Sequence, residues 1–147
     1  MLQTNNFAVG GFVALREIVS DCYQIKNIKT NKESPLMQRI ATFNKRPYHF
    51  KFFPEGVEKG NDCIEELLMH PPDIAIIDEI GAFELRGKLW SSSFTQLVES
   101  PVPLIFTVKP RLLDKVVAKW NIEPTLVFSP PSFSNPDEAF EQMKGFL

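Results

Sequence analysis

The stretch that decides the fold is Asp73-Ile74-Ala75-Ile76-Ile77-Asp78-Glu79-Ile80-Gly81-Ala82-Phe83-Glu84-Leu85. Its apolar residues run without alternation between two acids. A half-buried strand would alternate, so this one is buried on both faces, as strands of parallel sheets are. Upstream, Ile64, Leu67 and Leu68 make a helical stripe that Pro71-Pro72 ends. Asn61 or Asp62 is expected to cap that helix, with Glu65 closing a capping box, and the stripe can extend back to Val57.

Downstream the same rhythm repeats. Ser93 with Gln96 is expected to cap a short helix carrying Phe94, Leu97 and Val98. Leu104 to Val108 reads as a second buried strand. Pro110 opens a helix whose Leu112, Leu113, Val116, Val117 and Trp120 share one face. Pro124-Thr125-Leu126-Val127-Phe128 reads as a third buried strand, and Asn135-Pro136-Asp137-Glu138 opens the last helix, with Phe140, Met143 and Leu147 inward. Strands alternating with helices mean parallel α/β construction with right-handed crossovers.

The half before residue 60 differs. Phe7 to Leu15 is apolar and holds Gly10-Gly11, which point to a bend or a close backbone approach. Cys22 to Ile28, Leu36 to Phe43 and Tyr48 to Phe53 are short runs separated by turn residues. Together they predict an antiparallel meander. Phe50 and Phe52 share one face of the last run, opposite Phe53. The expected whole is one domain over residues 1–147, an α/β protein with a three-layer, mostly parallel sheet and a meander in its N-terminal half.

Composition narrows the function. Lys+Arg 16 against Asp+Glu 18 leaves a net charge of -2, so neither nucleic acid nor an anionic membrane is an expected partner. Cys22 and Cys63 are read as reduced thiols, and the expected location is the cytoplasm, because the polar Met1 to Asn6 has no signal-peptide character. Cys63 and His70 lack a second Cys/His pair, so no zinc site is indicated. His49 reads as a strand residue, and Ser91-Ser92-Ser93 as a helix start.

An apolar strand ending in Asp78-Glu79 has the form of a Walker B motif. Such a strand carries its terminal acids to the carboxyl edge of the sheet, where α/β proteins bind ligands. There Asp78 can hold Mg²⁺, which takes few carboxylates and several waters, while Glu79 orients or deprotonates an attacking water. Acids that simply turn a strand into solvent look the same in sequence.

The string Asp78-Glu79-Ile80-Gly81-x-Phe83-Glu84-Leu85, followed by Gly87, resembles the nucleoside-triphosphatase family first described in thermophiles. Val9-Gly10-Gly11-Phe12 and the run from Pro103 to Val117 also follow that family's order, so about residues 7 to 128 lie along it. The resemblance implies a P-loop NTPase fold and Mg²⁺-dependent hydrolysis of nucleoside triphosphates. By position it implies Asp78 as the metal ligand, Glu79 as the catalytic residue, and Glu84 with Gly81 as residues that orient the loop. Thr107 and Lys109 fall where phosphate-sensing groups sit; they also read as a strand-end hydroxyl and a solvated lysine.

The family begins with a strand, Gly-x-x-x-x-Gly-Lys-[Ser/Thr] and a helix. That Walker A motif is nowhere in these 147 residues. The loop supplies the backbone cradle and the lysine for the phosphates, and its strand lies between those matching residues 104–108 and 126–128. The expectation is that these two strands pair directly, or that another chain supplies one, so that a homo-oligomer or a P-loop-bearing partner completes the sheet. Three functions follow. The chain is a nucleoside triphosphatase whose phosphate loop lies elsewhere, a non-catalytic interaction or regulatory module, or a metal-dependent phosphohydrolase using Asp78, Glu79 and Glu84.

Overall fold

The computed structural model describes residues 6–40, 49–129 and 135–146. The element order begins with β1 (Val9–Glu17), β2 (Cys22–Asn27), β3 (Glu33–Ile40) and β4 (His49–Phe52). Helix α1 (Pro54–Met69), β5 (Ile74–Ile80), the one-turn α2 (Ala82–Leu85) and α3 (Ser91–Glu99) follow. Then come β6 (Leu104–Val108), a 3₁₀ turn (Pro110–Leu112), α4 (Leu113–Trp120) and α5 (Pro136–Lys144). The six strands form one sheet in the order β4-β3-β2-β1-β5-β6. The first four pair antiparallel as the expected meander, and β5 pairs parallel with β1 on one side and β6 on the other.

Alternation along the strands sorts the two faces. Phe12, Ala75 and Ile77 join the core beneath α1 and α3, with Ile64, Leu67, Phe94 and Leu97 from the helices. Trp90 packs edge-on against Phe12, their ring centroids 4.9 Å apart. Phe94 stands edge-on to both Phe106 of β6 and Trp120 of α4, at 5.6 and 5.0 Å, which binds three elements through one ring. The Gly10-Gly11 pair marks the close approach that its sequence suggested. A Cβ on Gly11, whose φ is +111°, would fall 1.9 Å from the Ile76 carbonyl oxygen, so β1 and β5 approach this closely only with glycine there.

Helix α1 begins eight residues before Asp62, at Pro54, with Phe53 as N-cap and no side-chain capping bond. The apolar stripe reaches back only to Val57, three residues short of this start. In space its glycines are packing devices: a Cβ on Gly56 would meet the Pro35 carbonyl oxygen at 2.2 Å, and one on Gly60 would meet the Trp90 ring at 2.8 Å. Asn61 therefore lies inside the helix, donating to the Val57 carbonyl and accepting from the Ser93 hydroxyl at 2.6 Å. Ser93 in turn lies within α3, whose N-cap is Trp90, and ties α3 to α1 instead of capping it.

The largest departure is at residues 124–128. They form no strand, and Leu126 and Val127 are 37% and 58% exposed. The expected direct pairing with β6 does not occur, and β6 is the sheet's edge among the described residues. A strand is held only by a neighbour, and residues 124–128 pair with no strand of this sheet. Asn135 caps α5 through Asp137 N–H as expected, and Phe140 is buried. Phe43, Tyr48 and Leu147 lie outside the described residues.

Candidate active site

The register of β5 against β6 builds the site. Ile76 faces Ile105 and Ile77 faces Phe106, but the next pair is Ile80 with Val108. Three steps on β5 oppose two on β6, so one extra residue is inserted, which is a β-bulge. That residue carries the strain: Glu79 has φ +62°, the left-handed region that costs a non-glycine residue about 1–2 kcal/mol. The strand therefore does not end in Asp78-Glu79, as its sequence suggested. It continues to Ile80, and the bulge lets neighbouring acids face different surroundings.

Three strands lock the bulge. Asp78 lies on the sheet face opposite Ile77. Its Oδ2 accepts from Ala14 N–H of β1 at 2.9 Å, and its Oδ1 accepts from the Thr107 hydroxyl of β6. The Thr107 oxygen in turn accepts from Glu79 N–H at 2.8 Å. Thr107 thus joins both acids through one hydroxyl, a bond its strand-end position does not reveal in sequence. The Glu79 side chain is exposed.

Past the bulge, Glu84 turns back on the loop. Its Oε2 accepts from Gly81 N–H at 2.8 Å, while Oε1 has no hydrogen-bond partner among the described residues. The residue is only 2% exposed. Burial pushes its carboxyl above the usual carboxylate range, against the pull of the Gly81 and Glu84 N–H groups and the Lys119 ammonium. Lys119 reaches from α4 to the Glu84 and Leu85 carbonyl oxygens and the Ser91 hydroxyl, fastening α2 to α4.

These groups border a cleft of about 920 Å³. Asp78, Glu79, Gly81, Thr107 and Lys109, all singled out in the sequence, line it together, and Glu84 lies in its wall. The sequence put Phe50 and Phe52 on one face, but not Phe83, Tyr23 or the other cations beside them. Phe83 stands edge-on to Phe50 and Phe52, at 5.7 and 4.8 Å, and Tyr23 joins Phe50 at 6.3 Å. Arg86, Lys88 and Arg111 add positive charge. His49 also lines the cleft from β4. Among the described residues, no group of three or more His, Cys, Asp or Glu side chains is arranged to hold a metal. The two acids and one hydroxyl at the bulge are hard oxygen donors, which suit Mg²⁺ held by one or two carboxylates with water and phosphate. The three acids of a phosphohydrolase do not converge, because the Glu84 carboxylate is buried against Gly81.

A family model described as NTPase matches residues 1–141. The chain belongs to this NTPase family. Among curated proteins, the nucleoside-triphosphatase THEP1 of Methanopyrus kandleri is 25% identical over 115 residues, 78% of this chain. The chain spans 63% of that relative's length. No solved structure matches it significantly. The α/β sheet, with its parallel β1-β5-β6 portion, agrees with membership in this NTPase family.

Two stability measurements check this geometry. Glu79→Gly removes the left-handed strain but adds unfolded-chain entropy, so its unfolding free energy from urea titration should stay level or rise by up to about 1 kcal/mol. Glu79→Val should lose about 1–2 kcal/mol. The second concerns Glu84, whose raised pKa favours the folded state below the ordinary carboxylate range and withdraws that stability as pH rises through the folded value. Glu84→Gln should therefore gain on the wild type between pH 4 and pH 7 in urea titrations.

Proposed function

We propose that this chain forms the acid-bearing half of a nucleoside-triphosphate hydrolysis site, with a phosphate loop that lies outside these 147 residues. The observation that carries the reading is the bulge. It sets Asp78 and Glu79 side by side at the carboxyl edge of a parallel strand, facing a cleft, and joins them through Thr107. Structural acids at a strand end need no strained backbone, and left-handed non-glycine residues cluster at functional sites.

Each residue then has a part. Asp78 holds Mg²⁺, and its bonds to Ala14 N–H and Thr107 fix its carboxylate while leaving lone pairs free. Mg²⁺, when bound, neutralises charge on the β- and γ-phosphates. Glu79 aims the attacking water and accepts its proton. Thr107 couples the position of both acids to β6, and Lys109 at the end of that strand meets the phosphate charge. Glu84 holds Gly81 and with it the loop that follows the acids.

The phosphate loop has a place to go. The outer edge of β6 offers unpaired backbone among the described residues. A parallel strand seated there would end next to Asp78 and Thr107, where backbone N–H groups can cradle phosphate. The competing reading is a non-catalytic interaction module. Such a module needs no Gly-x-x-x-x-Gly-Lys-[Ser/Thr] motif, and these 147 residues hold none.

Phosphate release from ATP and GTP with Mg²⁺ separates the two. The chain alone should be close to inactive. A fusion that adds a strand, phosphate loop and helix before Phe7 should hydrolyse both nucleotides. In that fusion Glu79→Gln and Asp78→Asn should each lower kcat by about 10²–10⁴-fold. A folded fusion without activity, or one indifferent to both substitutions, would support the interaction module.

A further inference from the structure

The cleft holds more positive charge than the acids at the bulge need. Arg86 and Lys88 enter it from the α2–α3 loop, and Lys109 and Arg111 from the connection between β6 and α4. None of the four makes an ion pair among the described residues, whereas other surface cations such as Lys29 and Lys59 do. The whole chain has a net charge of -2, so this concentration is local and not part of a general basic surface.

Both loops are rigidly built. Phe83 O accepts from the N–H groups of Arg86 and Lys88 at 3.1 and 2.9 Å, and Glu84 O accepts from Gly87 N–H at 3.0 Å. Gly87 itself has φ +74°, a conformation that places the two cations on one short turn. On the other side, Lys109 O accepts from Leu112 N–H at 2.8 Å and closes the 3₁₀ turn that carries Arg111. Lys119 then fastens α4 to the Glu84 and Leu85 carbonyls, so the two cationic loops are bound to each other through the fold. Charges held in place on ordered backbone lose little entropy when they grip an anion.

We propose that Arg86, Lys88, Lys109 and Arg111 form a polyphosphate clamp, by which this chain grips the phosphate tail of a nucleotide. The proposal rests on reading the cleft as a nucleoside-triphosphate site. Two arginines supply planar forks that match phosphate oxygens, and two lysines supply point charges. The four cations suit a ligand carrying several adjacent negative charges better than a single carboxylate. The neighbouring wall of Phe50, Phe52 and Phe83 is apolar and aromatic, which suits the ring end of the same ligand.

Calorimetric titration of the purified chain with inorganic tripolyphosphate tests the clamp without requiring hydrolysis. The wild type should bind, and less tightly as salt is raised from 50 to 300 mM. The exposed double reversals R86E/K88E and K109E/R111E should each weaken binding at least about tenfold. K115E/K144E, with the same change of charge outside the cleft, should bind as the wild type does. Circular dichroism confirms that each variant is folded. No binding by the wild type, or equal losses in all three variants, would overturn the clamp. Tripolyphosphate binding that obeys these rules while the phosphate-loop fusion stays inactive would support the clamp and sink the hydrolytic reading. Hydrolysis by the fusion with no tripolyphosphate binding by the chain would do the reverse.

Discussion

Everything at the site depends on how β5 is held between two parallel neighbours. On one side Gly11 lets β1 come close enough that Ala14 N–H reaches the Asp78 carboxylate. On the other, β6 brings Thr107 to the same carboxylate and to Glu79 N–H. The extra residue in β5 is tolerated because both its neighbours hold it. A bulge on an edge strand could slip its register; one in a central strand is pinned from both sides. The strain at Glu79 is thus sustained by backbone pairing elsewhere in the sheet.

The same arrangement explains how a short helix becomes structural. Isolated one-turn helices are not stable, and α2 stands because its neighbours hold its two ends. Glu84 ties its start to Gly81, and Lys119 of α4 takes the carbonyls at its end. Phe83, on the same turn, fills the gap above β4 by packing on Phe50 and Phe52. The loop after the acids is therefore connected to the meander on one side and to α4 on the other. Both walls of the cleft respond to the same few bonds.

Much of this was legible in the sequence, because its signals are local. The unbroken apolar run from Ile74 to Ile77 marks a central strand, and the turn-separated runs before residue 54 mark the meander. Residues 78, 79, 81, 84, 107 and 109 proved to border one cleft. What was hidden depends on partners distant in sequence. Gly56 and Gly60 look like helix breakers until Pro35 and Trp90 are seen against them. The bulge leaves no mark in sequence, since Glu79 is neither glycine nor asparagine. Residues 124–128 have strand composition, but composition cannot supply the neighbour that a strand requires. Arg86, Lys88 and Arg111 carry no signal in the sequence, because only the fold brings their loops to one cleft.

The bulge at Asp78-Glu79 as a divalent-cation and nucleotide site is the central claim, and paramagnetic broadening of amide resonances by Mn²⁺ with ADP tests it most directly. Mn²⁺ is bound by the same oxygen ligands as Mg²⁺ and weakens signals near it. The account predicts selective broadening of the amides of Asp78, Glu79, Ile80 and Thr107, and its loss in Asp78→Asn. Broadening centred instead on the second hollow, lined by Gly10, Asn27, Cys63 and His70, or spread evenly over surface carboxylates, would contradict it.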